Sequence, residues 1–166
     1  MCSSDLNNGL QMRPHLVKEV VDPITTERRA IAKEPMAQLN YKPEHLATIR
    51  QALVDVNLYG TSAASFVGAP YTSGGKTGTA QVFTIKQNEK YIASRIDERL
   101  RDHALFMAFA PADEPQVALA MVVENAGFGA QNAAPIARRV FDYVVMGRYP
   151  SADDMAAVQR GQATRP

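Results

Sequence analysis

Gly74-Gly75-Lys76-Thr77-Gly78-Thr79-Ala80-Gln81-Val82 decides how this chain is read. It sets one ammonium, two hydroxyls and three glycines side by side, then runs into a β-prone segment. On a strand Thr77 and Thr79, two residues apart, share a face, and Lys76 takes the other. Glycine weakens a strand, so glycines on either side of Lys76-Thr77 mark a place where a ligand or another backbone comes close. A strand edge of this kind can hold a carboxylate and offer a main-chain N–H to an oxyanion. It is only part of an active site, because no nucleophile with its own base accompanies it.

Working outward, Gly68-Ala69-Pro70 breaks a short helix through Ala63, Ala64 and Phe66, for which Thr61-Ser62 is the predicted cap. Before it, Pro43 suits a first helical turn, Leu46, Ile49, Leu53 and Val56 recur at helical spacing, and Tyr59-Gly60 closes the segment. Asn7-Asn8-Gly9 is a turn signal, residues 14–21 read as a strand ended by Asp22-Pro23, and a second short strand is expected near Ile31. After the motif comes a charged stretch, Lys86 to Asp102, read as a solvated excursion. Two apolar runs, 104–110 and 117–123, follow, joined by the turn Pro111-Ala112-Asp113-Glu114-Pro115. Neither run alternates, so both faces of both strands are expected to be covered. Pro135 opens a last helix whose predicted apolar stripe is Ile136, Ala137, Val140, Phe141, Val144 and Val145, with Arg138, Arg139 and Asp142 facing away.

The order strand, helix, short helix, three strands, helix defines an α+β fold: an antiparallel three-stranded core with packed helices. One closing helix cannot cover both faces of such a sheet, so more protein than this is expected around it. Residues 1–6 are expected to be a non-native or disordered start, 7–148 the folded part, and 149–166 a disordered tail.

The bulk properties exclude several function classes. At 166 residues with 46% hydrophobic and 21% charged content, the chain is globular and of one-domain size. A net charge of +1 without a basic run gives no reason to expect nucleic acid. Cys2 is the single cysteine, and His15, His45 and His103 are scattered, so no metal or disulfide pattern exists and no cofactor is expected. No apolar run approaches a membrane span, and Met1-Cys2-Ser3-Ser4-Asp5 lacks the basic start and apolar middle of a signal peptide.

Three readings compete for the motif. Gly75-Lys76-Thr77 could end a phosphate-binding loop, but the glycine required five residues earlier is Pro70, and the segment after Thr77 looks extended instead of helical. A glycine-rich strand with a surface lysine is the bland reading. The third is the Lys-Thr-Gly strand of a penicillin-recognising serine enzyme, which accompanies Ser-x-x-Lys and Ser-x-Asn elements in that superfamily. Beyond the tripeptide, 76–83, Asp97-Glu98-Arg99-Leu100-Arg101-Asp102-His103-Ala104-Leu105-Phe106, Phe109-Ala110-Pro111-Ala112-Asp113 and 133–140 resemble the class B peptidoglycan D,D-transpeptidases. Asn7-Asn8-Gly9 followed by Pro14-His15-Leu16 resembles the segment leading into the last third of their transpeptidase domain.

The resemblance implies an incomplete penicillin-binding, β-lactamase-like transpeptidase domain, part of a membrane-anchored enzyme on the periplasmic face of the inner membrane. Its partners would be peptidoglycan stem peptides, β-lactams and the membrane proteins of the elongation complex. Carried onto this chain, it makes Lys76 and Thr79 catalytic, Lys76 by its charge and Thr79 by its oxyanion-hole N–H. Thr77, Gly78 and Thr79 would bind substrate. Among Ser3, Ser4, Ser62, Ser65, Ser73, Ser94 and Ser151, none has a lysine three residues on, and Ser-x-Asn is absent. The expectation is therefore a C-terminal fragment that is inactive alone. A serine β-lactamase or D,D-carboxypeptidase relative is the enzyme alternative, and a non-catalytic interaction module using exposed strand edges is the other.

Overall fold

The computed structural model describes residues 2–84 and 91–159, in two compact units, 1–49 and 50–166. The first part of the charged stretch, 86–90, and the tail from 160 onward lie outside the described residues.

The first unit starts with helix α1 (Cys2–Leu6), which corrects the expectation of a disordered beginning. Ser4 and Asp5 are buried in it, and the carbonyl oxygen of Ser4 accepts the N–H of Gly9 at 2.7 Å. Gly9 turns the chain at φ 87°, as the Asn-Asn-Gly signal requires. Strand β1 (Leu10–Met12) then runs on, and its partner comes only after a hairpin of β2 (Glu19–Val21) and β3 (Arg28–Ala30). Strand β4 (Pro35–Gln38) closes the unit by pairing antiparallel with β1, Leu10 opposite Gln38. The strand expected over 14–21 is thus only three residues, Glu19–Val21. Pro14 lacks a donor, and Pro23 ends the pairing. Asp22 makes the hairpin turn: its Oδ1 accepts the N–H groups of Ile24 and Thr25 at 2.8 and 2.9 Å.

Helix α2 (Pro43–Leu58) forms where the apolar spacing predicts it and runs from one unit into the other. In the second unit come α3 (Ala63–Phe66), β5 (Gly74–Ala80), two 3-10 turns (Ala93–Arg95 and Glu98–Leu100), β6 (His103–Ala110), β7 (Val117–Val123), α4 (Gly129–Asn132), α5 (Ala134–Met146) and α6 (Ala152–Gln159). The last corrects the expectation of a disordered tail for 152–159. The sheet order is β5-β6-β7, all antiparallel, with Lys76 opposite Met107 and Phe106 opposite Met121.

One face of this sheet is deeply covered. Ala104, Phe106, Ala108 and Ala110 of β6 meet Ala133 just before α5, Ala134, Ala137 and Phe141 on it, and Phe66 of α3. The alanines let helix and strand approach closely, and the Phe66 ring lies 6.1 Å from Phe106 and 6.4 Å from Phe141. Each fully buried phenylalanine contributes about 1.5–3 kcal/mol over an exposed one. The other face is open, as the expectation that one closing helix cannot cover both faces requires. Ala118, Ala120 and Val122 alternate outward, Val122 at 60% exposure, because nothing in the described residues lies over that end of the sheet.

Helix α5 also departs from its predicted orientation. Ile136, Val140 and Val144 are exposed, whereas Arg138 is buried and Asp142 partly so. The reason is hydrogen bonding. Arg138 Nε donates to both carboxylate oxygens of Asp142 at 2.8 and 3.0 Å, and Nη1 donates to the carbonyl oxygens of Ser65 and Val67. Asp142 in turn accepts from the Tyr71 hydroxyl at 2.8 Å. A buried charge hydrogen-bonded through Nε and Nη1 escapes much of the penalty that burial alone imposes.

Candidate active site

Among the described residues strand β5 is an edge strand, paired only with β6. Its glycines turn out to admit the chain's own atoms. A Cβ on Gly74 would stand 2.5 Å from the Phe109 ring, and one on Gly75 would stand 2.7 Å from that of Phe106. At Gly78 the neighbour is the side chain of Leu105 at 3.1 Å, and Gly129 at the head of α4 lies against the main chain of Gly78 and Leu105. The close approach inferred from the sequence is therefore intramolecular here.

Lys76 is exposed and lies on the face of Met107, while Thr77 and Thr79 share the face of Phe106 and Ala104. This matches the two-residue alternation read from the sequence. Lys76 Nζ donates to the carbonyl oxygen of Thr77 at 2.8 Å. Its engagement by a side-chain ammonium assigns that carbonyl to the side of β5 away from β6. In an antiparallel ladder every second residue points its N–H and C=O to the same side, so Thr79 presents its N–H along the same open edge. An ammonium, two hydroxyls and a main-chain donor thus line one edge of the strand.

The hydroxyl of Thr77 is held 2.9 Å from that of Thr61. Thr61 stands at the corner between α2 and α3, and a buried cluster fixes that corner. Asn57 Nδ2 donates to Ser73 Oγ at 2.9 Å, and Ser62 Oγ donates to Asn57 Oδ1 at 2.6 Å and to the Val56 carbonyl at 3.1 Å. Ser62, predicted as a helix cap, makes no capping bond to α3 and instead ties the end of α2 to the start of β5. Sequence reading missed Asn57 and Ser73; nothing in their local pattern gives the tertiary contact away.

Beyond the far end of β5 lies a cavity of about 450 Å³ lined by Thr79, Gln81, Tyr91, Asp102 and Phe128. Residues 97–102, expected as part of a solvated excursion, divide in the structure, and the burial of Asp102 corrects that expectation. Asp97 Oδ1 accepts the Arg99 N–H at 3.0 Å and so caps a 3-10 turn, while Asp102 is buried and its N–H donates to the Tyr91 hydroxyl at 3.0 Å. Asn125, in left-handed backbone at φ 55°, pins the approach to β6. Its Nδ2 donates to the carbonyl oxygens of Arg99 and Arg101, and its N–H to His103 Nδ1. Among the described residues no group of three His, Cys, Asp or Glu side chains could hold a metal ion.

Comparison with known proteins defines the class. The penicillin binding protein transpeptidase domain matches residues 3–142, so the chain belongs to that family. The match takes in residues 3–6, which the sequence reading had set apart. The peptidoglycan D,D-transpeptidase MrdA of Haemophilus influenzae is 38% identical over 149 residues, 89% of this chain and 23% of that protein. Among solved structures, PBP2 of Pseudomonas aeruginosa in complex with WCK 5153 superposes with a TM-score of 0.61 at 31% identity, over 89% of this chain and 29% of that one. The imipenem acyl-enzyme complex of penicillin-binding protein A from M. tuberculosis gives 0.61 at 27% identity, over 86% and 28%. PBP2 of Helicobacter pylori, solved in complex with MreC, gives 0.54 at 25% identity, over 69% and 20%. The chain spans less than a third of the length of each.

Proposed function

We propose that this chain supplies the carboxylate-gripping, oxyanion-stabilising half of a peptidoglycan D,D-transpeptidase site, completed by serine-bearing elements outside these 166 residues. The observation that carries it is the open edge of β5, where Lys76 Nζ sits on the Thr77 carbonyl and the Thr79 N–H points the same way. Lys76 supplies positive charge for the terminal carboxylate of a stem peptide and assists proton movement. Thr77 and Thr79 hydroxyls hydrogen-bond that carboxylate. The Thr79 N–H is one oxyanion donor, and the N–H of the nucleophilic serine is the other. Gly78 keeps the strand thin enough for a peptide to lie along it.

The same edge accepts β-lactams, whose carboxylate and carbonyl resemble those of the acylating peptide. The imipenem complex of the mycobacterial relative supports this. A role in building peptidoglycan fits the periplasmic face of the inner membrane, and the MreC complex of the Helicobacter relative supports protein partners for the whole polypeptide.

The test is acylation by a fluorescent penicillin. The 166-residue chain alone stays unlabelled, because general-base and oxyanion groups without a nucleophile transfer no acyl group. The full-length polypeptide that contains it labels at a serine. Labelling of the isolated chain would refute the division of the site.

A further inference from the structure

The corner between α2 and α3 is anchored on both sides, and one exposed hydroxyl stands between the anchors. Gly60, just past the end of α2, donates its N–H to the Asp55 carbonyl oxygen at 2.9 Å, and an added Cβ there would lie 2.7 Å from Val56 Cα. On the other side Ser62, 1% exposed, is fastened to Val56 and Asn57, and Asn57 reaches on to Ser73. Ser73 immediately precedes β5, so the same buried cluster mounts the corner on the motif strand. Thr61 is itself exposed, Thr77 is half-buried, and their Oγ1 atoms stand 2.9 Å apart. Threonine has few χ1 choices. With both backbones held, the freedom left to this pair lies mainly in the two hydroxyl protons, which rotate to suit their partners.

Proton counting sets their directions once a carboxylate is present. A hydroxyl carries one proton and two lone pairs, whereas an ionised carboxylate only accepts. When Thr77 binds a terminal carboxylate, its single proton goes there, and toward Thr61 it has only a lone pair to offer. The bond between the two hydroxyls then survives in one direction, with Thr61 donating. A hydroxyl that accepts one hydrogen bond also donates more strongly, because bonds in a chain polarise one another.

We infer that Thr61 is a positioning residue for the open edge of β5: it donates its hydroxyl proton to Thr77 Oγ1 and so aims the Thr77 proton at the terminal carboxylate of the bound peptide or β-lactam. This rests on the carboxylate-binding role proposed for Thr77. Thr61 acts through Thr77 and takes no part in acyl transfer itself.

The test is a double-mutant cycle on the full-length polypeptide, read as the second-order rate constant for acylation by a fluorescent penicillin. Thr61→Val keeps the shape without the hydroxyl and is expected to lower that constant about three- to tenfold, the scale of one hydrogen bond. Thr61→Ser restores the hydroxyl and is expected to stay within about twofold of the unaltered protein. In a Thr77→Val background no hydroxyl is left to orient, and adding Thr61→Val is expected to change the constant less than about twofold. A loss of the same size in both backgrounds overturns the coupling to Thr77. A loss that persists in Thr61→Ser overturns the assignment to the hydroxyl. Full-rate acylation of Thr61→Val beside slowed acylation of Thr77→Val overturns the positioning role and leaves the β5 reading standing. If Thr77→Val itself acylates at the unaltered rate, the carboxylate role of Thr77 and this inference fall together. A folding defect in Thr61→Val would appear in both backgrounds, so it does not imitate the expected pattern.

Discussion

Lys76 Nζ rests on the carbonyl oxygen of its own neighbour, Thr77, 2.8 Å away. A lysine ammonium parked on one neutral acceptor has further N–H donors to offer. It gives up little when a carboxylate arrives, because a charged acceptor replaces a neutral one in the same direction. In the full-length polypeptide, Lys76→Ala is expected to slow acylation by a fluorescent penicillin by about 10²-fold or more, in keeping with the loss of a positioned proton-transfer group. Unchanged labelling kinetics would remove Lys76 from the chemistry.

Thr79 allows a substitution that is ordinarily destructive. Its N–H is assigned to the free edge of β5, so Thr79→Pro is expected to break no ladder bond to β6 yet to delete the proposed oxyanion donor. The expected result is a folded protein by circular dichroism whose acylation rate falls about 10²–10³-fold. Gly78→Pro is the counterpart: Gly78 pairs with Leu105, and its substitution is expected to unfold the sheet. If Thr79→Pro acylates normally, the oxyanion donor lies elsewhere.

Arg138 is the group whose loss is expected to hurt stability most. Its removal strands Asp142 and two carbonyl oxygens in a partly dry site, and Arg138→Ala is predicted to cost about 3–5 kcal/mol in denaturant unfolding. Arg138→Lys keeps the charge but loses the planar fork, so it should recover only part of that. A loss below 1 kcal/mol for the alanine variant would mean the network is not structural.

Tyr71 gives a pH signature. Burial first, and the Asp142 carboxylate beside it second, push its hydroxyl far above the ordinary tyrosine range. The unfolded chain ionises near pH 10, so the folded state binds the extra proton above that point. Stability from this group is complete below about pH 10 and declines as pH rises beyond it. Thermal melts between pH 8 and 11 should show this decline, and Tyr71→Phe should flatten it. Equal slopes in both proteins would contradict the linkage.

Much of this was legible in the sequence, for reasons that can be named. Helical periodicity found α2 and α5, and unbroken apolar runs bounded by a turn found β6 and β7. The motif strand was readable because glycine, lysine and threonine in that order fit few other roles. Orientation was less legible. Arg138 looks like a surface residue until Ser65 and Val67, more than seventy positions earlier in sequence, bring their carbonyl oxygens to it. Ser62 looks like a cap until Asn57 folds back on it. Short strands such as β3 and β4 carry too few residues to show alternation, and α1 and α6 carry too weak a pattern to stand out. Likewise Asp102 reads as one charge among several in 97–102, and only β6 reveals that it turns inward.

The wedge at Gly129 has a further consequence. Contact there runs main chain to main chain, since an added Cβ would fall 2.2 Å from the Leu105 carbonyl oxygen and 2.6 Å from that of Gly78. Spacing set by peptide atoms does not depend on which side chains surround it. Mutational drift over the outer surface of the final helices can therefore change how firmly the domain holds together without re-aiming strand β5. The exception is the wedge residue, where a single methyl group would be felt at Thr79.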